Sequence, residues 1–316
     1  MTEPTYIPLR LHTEFSITDG MVRIKKLIAK AQEYGLPALG ISDLMNEFGL
    51  VKFYKACRSA GIKPIGAADV WIGNPNAPDK PFRAMLIIRN DAGYLRLSEL
   101  LTAAYVGKDR NVHHAELNPE WLENGDNSGL ICLSGAHYGE VGVNLLNGNE
   151  DAARAAALKY AAWFPDAFYL ELQRLPERPE WEACVSGSVK LAEELGLPVV
   201  ATHPTQFMSR DDFNAHEARV CIAGGWVLTD KKRPRDFTPS QFFIPPETMA
   251  ERFADLPEAL ENTVEIAKRC NLHITLGKNF LPLFPTPDGL SLDDYLVKLS
   301  NEGLQERMVQ LYPDEA

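Results

Sequence analysis

The amino-acid sequence predicts an α/β protein with a mostly parallel sheet, open or closed into a barrel, on three observations. Short apolar runs recur along the chain, each ending on a polar residue. Amphipathic stretches of helical period lie between them. The runs are apolar almost without alternation, the pattern of strands covered on both faces. A length of 316 residues suits one large α/β barrel or two modest domains.

The elements follow in order. YIPLRLHTE is the first expected strand, and MVRIKKLIAKAQEYG the first helix, with Met21, Ile24, Leu27, Ile28 and Ala31 on one face and Gly35 as its stop. PALGISD, KPIGAADVWI, RAMLIIRND, GLICLSG, AFYLELQR and LPVVATH bring the expected strands to seven. SRDDFNAHEARVCIAGG reads as a helix capped by Ser209, with Asp211 and Asp212 in its first turn, and PEALENTVEIAKRC as a second amphipathic helix. These complete a first domain, residues 1–270. Residues 271–316 form a Pro- and Gly-rich linker and a helix capped by Ser291, whose Leu292, Tyr295, Leu296, Leu299, Leu304 and Met308 make a stripe that wants a partner. That stripe marks the chain as a piece of something longer, and residues from about 280 onward are expected to be the least protected from exchange.

Acids outnumber bases 43 to 32, a net charge of −11 that argues against nucleic-acid binding over the whole surface. Five scattered cysteines without CxxC spacing suggest neither a disulfide framework nor structural zinc, and MTEPTYIP lacks the features of a signal peptide. A soluble, cytoplasmic protein is expected.

Barrel enzymes carry their chemistry at the C-terminal ends of the strands. His12, Asp43, Asp69, Ser134, Glu171 and His203 stand at or just past the ends of different runs and are expected to converge on one mouth. Other signals take plainer readings. KKRPR, 231–235, reads as a solvated turn, diluted by Asp230 and Asp236. His113 and His114 read as surface residues, and His137 and His216 as structural histidines. Cys132 reads as core, and Ser134-Gly135 lacks the GxSxG elbow of a serine hydrolase.

RLHTEFSITDG, PALGISDLMNEFGLVKFYKACRSAGIKPIGAADVWI, GLICLSG, FYLELQR, LPVVAT and PEALENTVEIAKRCN together resemble the PHP (polymerase and histidinol phosphatase) domain family, in the branch at the N-terminus of bacterial DNA polymerase III α subunits. LGKNFLPLFPTP resembles the passage into the polymerase palm. The resemblance implies a distorted, seven-stranded TIM-like barrel. It also implies a cluster of divalent metals held by His, Asp, Glu and Cys in members with an intact site, able to activate water for phosphoester hydrolysis.

Aligned to that pattern, most ligands are replaced. The opening HxH reads Arg10-Leu11-His12, with Asp19 kept. An Asp-His pair reads Asp43-Leu44, and Asp69 stands for a longer glutamate. Arg83 occupies a histidine position, Ala136 lies near a cysteine position, and the closing Asp-x-His reads Pro204-Thr205-Gln206. His12, Asp19 and Asp69 remain as vestigial candidates. Arg10 and Arg83 bring fixed positive charge to the mouth and can pair with Asp19, Asp69 or Glu171.

The expectation is therefore no catalytic residue and no metal, the alternative being Zn, Mn or Mg weakly held by the three survivors. The implied role is a scaffold that supports a replicative DNA polymerase and docks its ε proofreading exonuclease subunit. The alternative is a metal-dependent phosphoesterase or 3′-5′ exonuclease with a reduced site. Nucleotidyl transfer would belong to the full-length parent, through palm carboxylates outside this sequence.

Overall fold

The computed structural model describes residues 5–279 and 281–313. Six of the seven apolar runs form strands: β1 (Ala38–Leu44), β2 (Lys63–Ile72), β3 (Phe82–Ile88), β4 (Leu130–Leu133), β5 (Phe168–Leu172) and β6 (Val199–Ala201). They make one sheet in sequence order, parallel except for β3, which is antiparallel to both neighbours. A short loop joins β2 to β3, so β3 begins at the end of the sheet where the other strands finish.

The first expected strand, YIPLRLHTE, is not one. Its residues span the open side of the sheet with too few backbone bonds for a ladder. Pro8 has no amide to donate. Gly40 N of β1 donates to Pro8 O at 2.7 Å, and Ser42 N to Leu11 O at 2.9 Å, but the return bond from Leu11 N goes to the Ser42 hydroxyl at 2.9 Å. On the other side a single parallel bridge joins Leu11 to Thr205, just past β6. The approach to β1 is so close that a Cβ on Gly40 would lie 2.3 Å from Leu9 O, so glycine is required there. The sheet is thus a six-stranded half-barrel completed by an irregular segment.

Helices α1 (Ile24–Glu33), α2 (Leu50–Ser59), α3 (Asp91–Val106), α4 (Pro119–Glu123), α5 (Glu140–Leu146), α6 (Glu150–Trp163), α7 (Trp181–Leu195), α8 (Phe213–Gly224), α9 (Pro246–Arg252) and α10 (Pro257–Arg269) accompany the sheet. α1 buries Ile24, Leu27, Ile28 and Ala31 as their spacing predicts and ends before Gly35, at φ +65°. Met21 lies outside the helix, where its amide donates to Gln206 O at 2.8 Å. Ser209 and Asp212 form a reciprocal capping box on the short 3₁₀ turn that leads into α8. All five cysteines are buried and unbridged.

The chain divides into two compact units, Met1–Ile274 and Thr275–Ala316. Within the second, α11 (Leu292–Leu311) is capped by Ser291, whose hydroxyl accepts from Asp294 N at 3.1 Å. Phe284 stacks on Tyr295 there, ring centroids 5.9 Å apart.

Candidate functional site

The reversed direction of β3 assembles the mouth. Asp69 and Trp71 lie on one face of β2, and register pairs Trp71 with Arg83 at the start of β3. Arg83 therefore reaches the mouth from the front of its strand, whereas Glu171 reaches it from near the end of β5. Arg10 and His12 arrive on the irregular segment, alternate residues on one side of an extended chain.

These groups close a network. Arg10 grips Glu171 with both edges of its fork, Nε to Oε1 at 2.7 Å and Nη2 to Oε2 at 2.9 Å, and gives Nη1 to Asp69 Oδ2. The same Asp69 oxygen accepts Arg83 Nη2 at 2.5 Å and His12 Nε2 at 3.0 Å. His12 Nδ1 donates to Asp19 Oδ1 at 2.9 Å. Glu171 also accepts from Thr202 Oγ1 at 2.5 Å, Gln173 Nε2 at 3.2 Å and Gly135 N at 3.1 Å. Arg10, Asp19, Asp69, His12 and Glu171 are all buried.

Burial works against the charges of Arg10, His12, Asp19 and Asp69, and their partners overcome it. Desolvation opposes a charged His12, but Asp19 and Asp69 outweigh it and push its pKa up to about 9. Desolvation likewise opposes ionised Asp69, yet Arg10, Arg83 and His12 hold it well below the usual carboxylate range. Asp19 is lowered against burial by His12. Two guanidiniums and one imidazolium thus face three carboxylates, and the mouth is neutral without an ion.

A cavity of 370 Å³ lies above this network, with Arg83, Asp19, Leu44, Pro204 and Gln206 in its lining. Aromatic groups complete its walls. Arg83 lies over the Trp71 ring at 4.7 Å. His137 stacks on Trp181, centroids 3.5 Å apart, and is held neutral, with a pKa of about 3, by burial and then by Arg10, Arg83 and Arg178.

The other residues predicted to converge are placed differently. Asp43 is held by Thr13 N at 2.7 Å, by the Thr13 hydroxyl and by Ser16 Oγ at 2.7 Å, so it anchors the turn after His12. Ser134 Oγ accepts Glu171 N at 2.9 Å, a supporting contact. His203 gives its Nε2 proton to Phe242 O at 2.9 Å and accepts from Arg252 at 3.3 Å, and burial, then Arg252, keeps it neutral with a pKa of about 3. Ala136 sits buried in a 3₁₀ turn at φ +47°. His216 Nε2 donates to Asp19 O at 2.5 Å, so this structural histidine supports the mouth from α8. His113 is exposed, and His114 pairs with Glu116 at 2.8 Å. KKRPR is not simply a solvated turn, because Arg233 is buried in an ion pair with Glu217 at 2.5 Å.

Gln173, Thr202, Trp71 and Trp181 escaped the sequence reading. Gln173 had a signal, since it lies two residues beyond Glu171 on the same face of an extended strand. Thr202 and the tryptophans had none beyond their place near strand ends.

The donor set does not fit a divalent metal. Both ring nitrogens of His12 are engaged, one oxygen of Asp69 serves three donors, and the Glu171 carboxylate is taken by a fork of fixed positive charge. Among the described residues no group of three or more His, Cys, Asp or Glu is placed to hold an ion.

Residues 8–175 match the model of the PHP domain family. The whole chain is 99% identical, over 316 residues, to the DNA polymerase III subunit alpha of Neisseria meningitidis serogroup A, of which it covers 28%. It is 45% identical over 315 residues to the protein of the same name from Escherichia coli K12, covering 27% of that relative. The chain thus spans little more than a quarter of the length of the curated relatives it matches. A putative metal-dependent phosphoesterase from Bifidobacterium adolescentis superposes over 80% of this chain and 97% of its own, with a TM-score of 0.37 and 12% identity, too remote to bear on the chemistry here. With its family model matched across more than half of its residues, the chain belongs to the PHP domain family.

Proposed function

We propose that this chain is a non-catalytic scaffold domain of a replicative DNA polymerase, a PHP domain whose metal site has been replaced by ion pairs. One observation carries the reading: a single oxygen of Asp69 is shared by Arg10, Arg83 and His12, so the charge a metal would supply comes from the chain itself. The 99% and 45% identities to two proteins named DNA polymerase III subunit alpha support the polymerase context. In this reading the domain supports the remainder of the polymerase chain, acts on DNA only through the full-length protein, and docks the ε proofreading exonuclease subunit in the cytoplasm. Among the described residues no helix is long and apolar enough to cross a membrane.

Elemental analysis tests the metal half of the proposal, with an expected content below about one equivalent of Zn, Mn or Fe per chain and no phosphoester hydrolysis. Two or three tightly held metals, whose removal by chelator abolishes a phosphoesterase or 3′-5′ exonuclease activity, would replace the scaffold reading with that of a reduced but working site. Mixing the chain with the exonuclease subunit and measuring association by sedimentation tests the docking half.

A further inference from the structure

A smaller, largely apolar cavity of 210 Å³ lies where the loop after β5 meets the end of α9, and it stands apart from the scaffold reading. Arg174, Arg178 and Arg252 line it, with Leu175, Pro176, Pro179, Trp181 and one carboxylate, Glu182. The three guanidiniums differ in what they already hold. Arg174 is saturated: Glu182 takes Nε at 3.0 Å and Nη2 at 2.8 Å, and Asp255 takes Nη1 at 2.6 Å and Nη2 at 2.9 Å.

Arg252 has no such partner. Its hydrogen bonds are two long ones from Nη1, to Arg174 O at 3.4 Å and to His203 Nδ1 at 3.3 Å, and among the described residues no carboxylate comes within ion-pair distance. Burial lowers its pKa and Glu177, farther off, only partly offsets this. Arg178 is half satisfied. Nη2 donates to Arg235 O at 2.5 Å and Nη1 lies 3.5 Å from exposed Glu180, while Nε, buried, has no partner.

A half-buried guanidinium without a counter-charge is costly and favours an anion that meets its fork. The cavity's apolar walls suit a short alkyl stem, and its small volume suits one headgroup. Glu182 lines it, and Asp255, Glu180 and Glu177 lie near its arginines, so a dianion or a polyanion would meet more repulsion than a single charge does. The fork of Arg10 on Glu171 shows the same pairing made elsewhere in this chain.

We propose that this cavity binds a single carboxylate carried on an apolar stem, held between Arg252 and Arg178. The source is either a free small carboxylic acid or the end of a polypeptide. Arginine Nε–H resonances of the full 316-residue chain, followed by NMR at constant ionic strength, test it with propionate, N-acetylleucine, propionamide and inorganic phosphate. The expected result is saturable shifts of the Arg252 and Arg178 signals with propionate or N-acetylleucine. Tighter binding of propionate identifies a free acid, and tighter binding of N-acetylleucine a polypeptide terminus. Arg252→Met is expected to weaken binding at least about tenfold, Arg252→Lys less, and Arg178→Gln to weaken it with the thermal melt unchanged. The proposal is overturned by equal shifts with propionamide, by phosphate binding more tightly than propionate, by no saturable shift, or by undiminished binding to Arg178→Gln.

Discussion

At the mouth, Arg10 has 7% of its side chain exposed and holds Asp69 and Glu171, exposed by 1% and 0%. Across the outer helices, Arg154 of α6 holds Glu194 of α7 with 45% and 39% of the two side chains exposed. Both are arginine–carboxylate pairs, but water divides them. The outer pair can exchange its partner for solvent at little cost, and salt screens what attraction remains. The inner groups have no such refuge, so removing one strands the others without hydration. Proximity of charges is therefore a poor measure of their worth, and burial decides it.

The largest expected effect follows from removing the centre of the inner set. Arg10→Met should destabilise the fold by about 3–5 kcal/mol, read by chemical denaturation. A double-mutant cycle with Glu171→Gln should show strong coupling. A loss no larger than that of an outer pair would erase the distinction.

Proton linkage should come next. His12 has a folded pKa of about 9 against about 6.5 unfolded, so its contribution is fully present below pH 6.5 and is lost as pH rises through 9. That loss should reach up to about 3 kcal/mol. Asp69, depressed in the folded state, contributes above about pH 3.9 and fails as pH falls below it. The network should be strongest between about pH 4 and 6.5, and His12→Gln should flatten the alkaline limb. An unchanged limb in that variant would assign the titration to another group.

Arg83→Met should cost less, about 2 kcal/mol, because Asp69 keeps Arg10 and His12 and the arginine makes a single charged bond beside Trp71. Smallest of all, Arg154→Ala should cost below about 1 kcal/mol and vary with salt, whereas the loss in Arg10→Met should hardly respond to salt. Thermal melts at low and high ionic strength would separate the two cases.

Much of this arrangement was legible in the residues, and the gaps have physical reasons. Six apolar runs became strands because strands covered on both faces have no other pattern. The direction of β3 was hidden, since a side-chain period of two reads the same both ways, although Arg83 at the front of its run was the clue. YIPLRLHTE has strand composition, but Pro8 and the Ser42 hydroxyl divert the ladder, and no local pattern announces a bond made 31 residues away. Arg10 was expected to pair with Asp19, Asp69 or Glu171 because its fixed charge in a buried mouth has to be answered; it meets the last two, while Asp19 goes to His12. Asp43 was misplaced because Thr13 and Ser16, common residues in any turn, take its carboxylate. Arg233 was read as solvated from its neighbours in sequence, whereas its partner Glu217 belongs to α8.

The irregular segment across the open side of the sheet also sets an order of events during synthesis. Arg10 must wait for Glu171, 161 residues later, and Asp19 O for His216, 197 residues later. At roughly 5–20 residues per second on the ribosome, the second wait lasts on the order of 10–40 s. Through that interval Arg10 and Asp19 lack these two partners beside a growing half-sheet, and contacts of such long range form slowly. The segment around Arg10 can therefore meet Asp43 and Asp69 well before Glu171 and His216, and the mouth closes only after β6 and α8 have emerged.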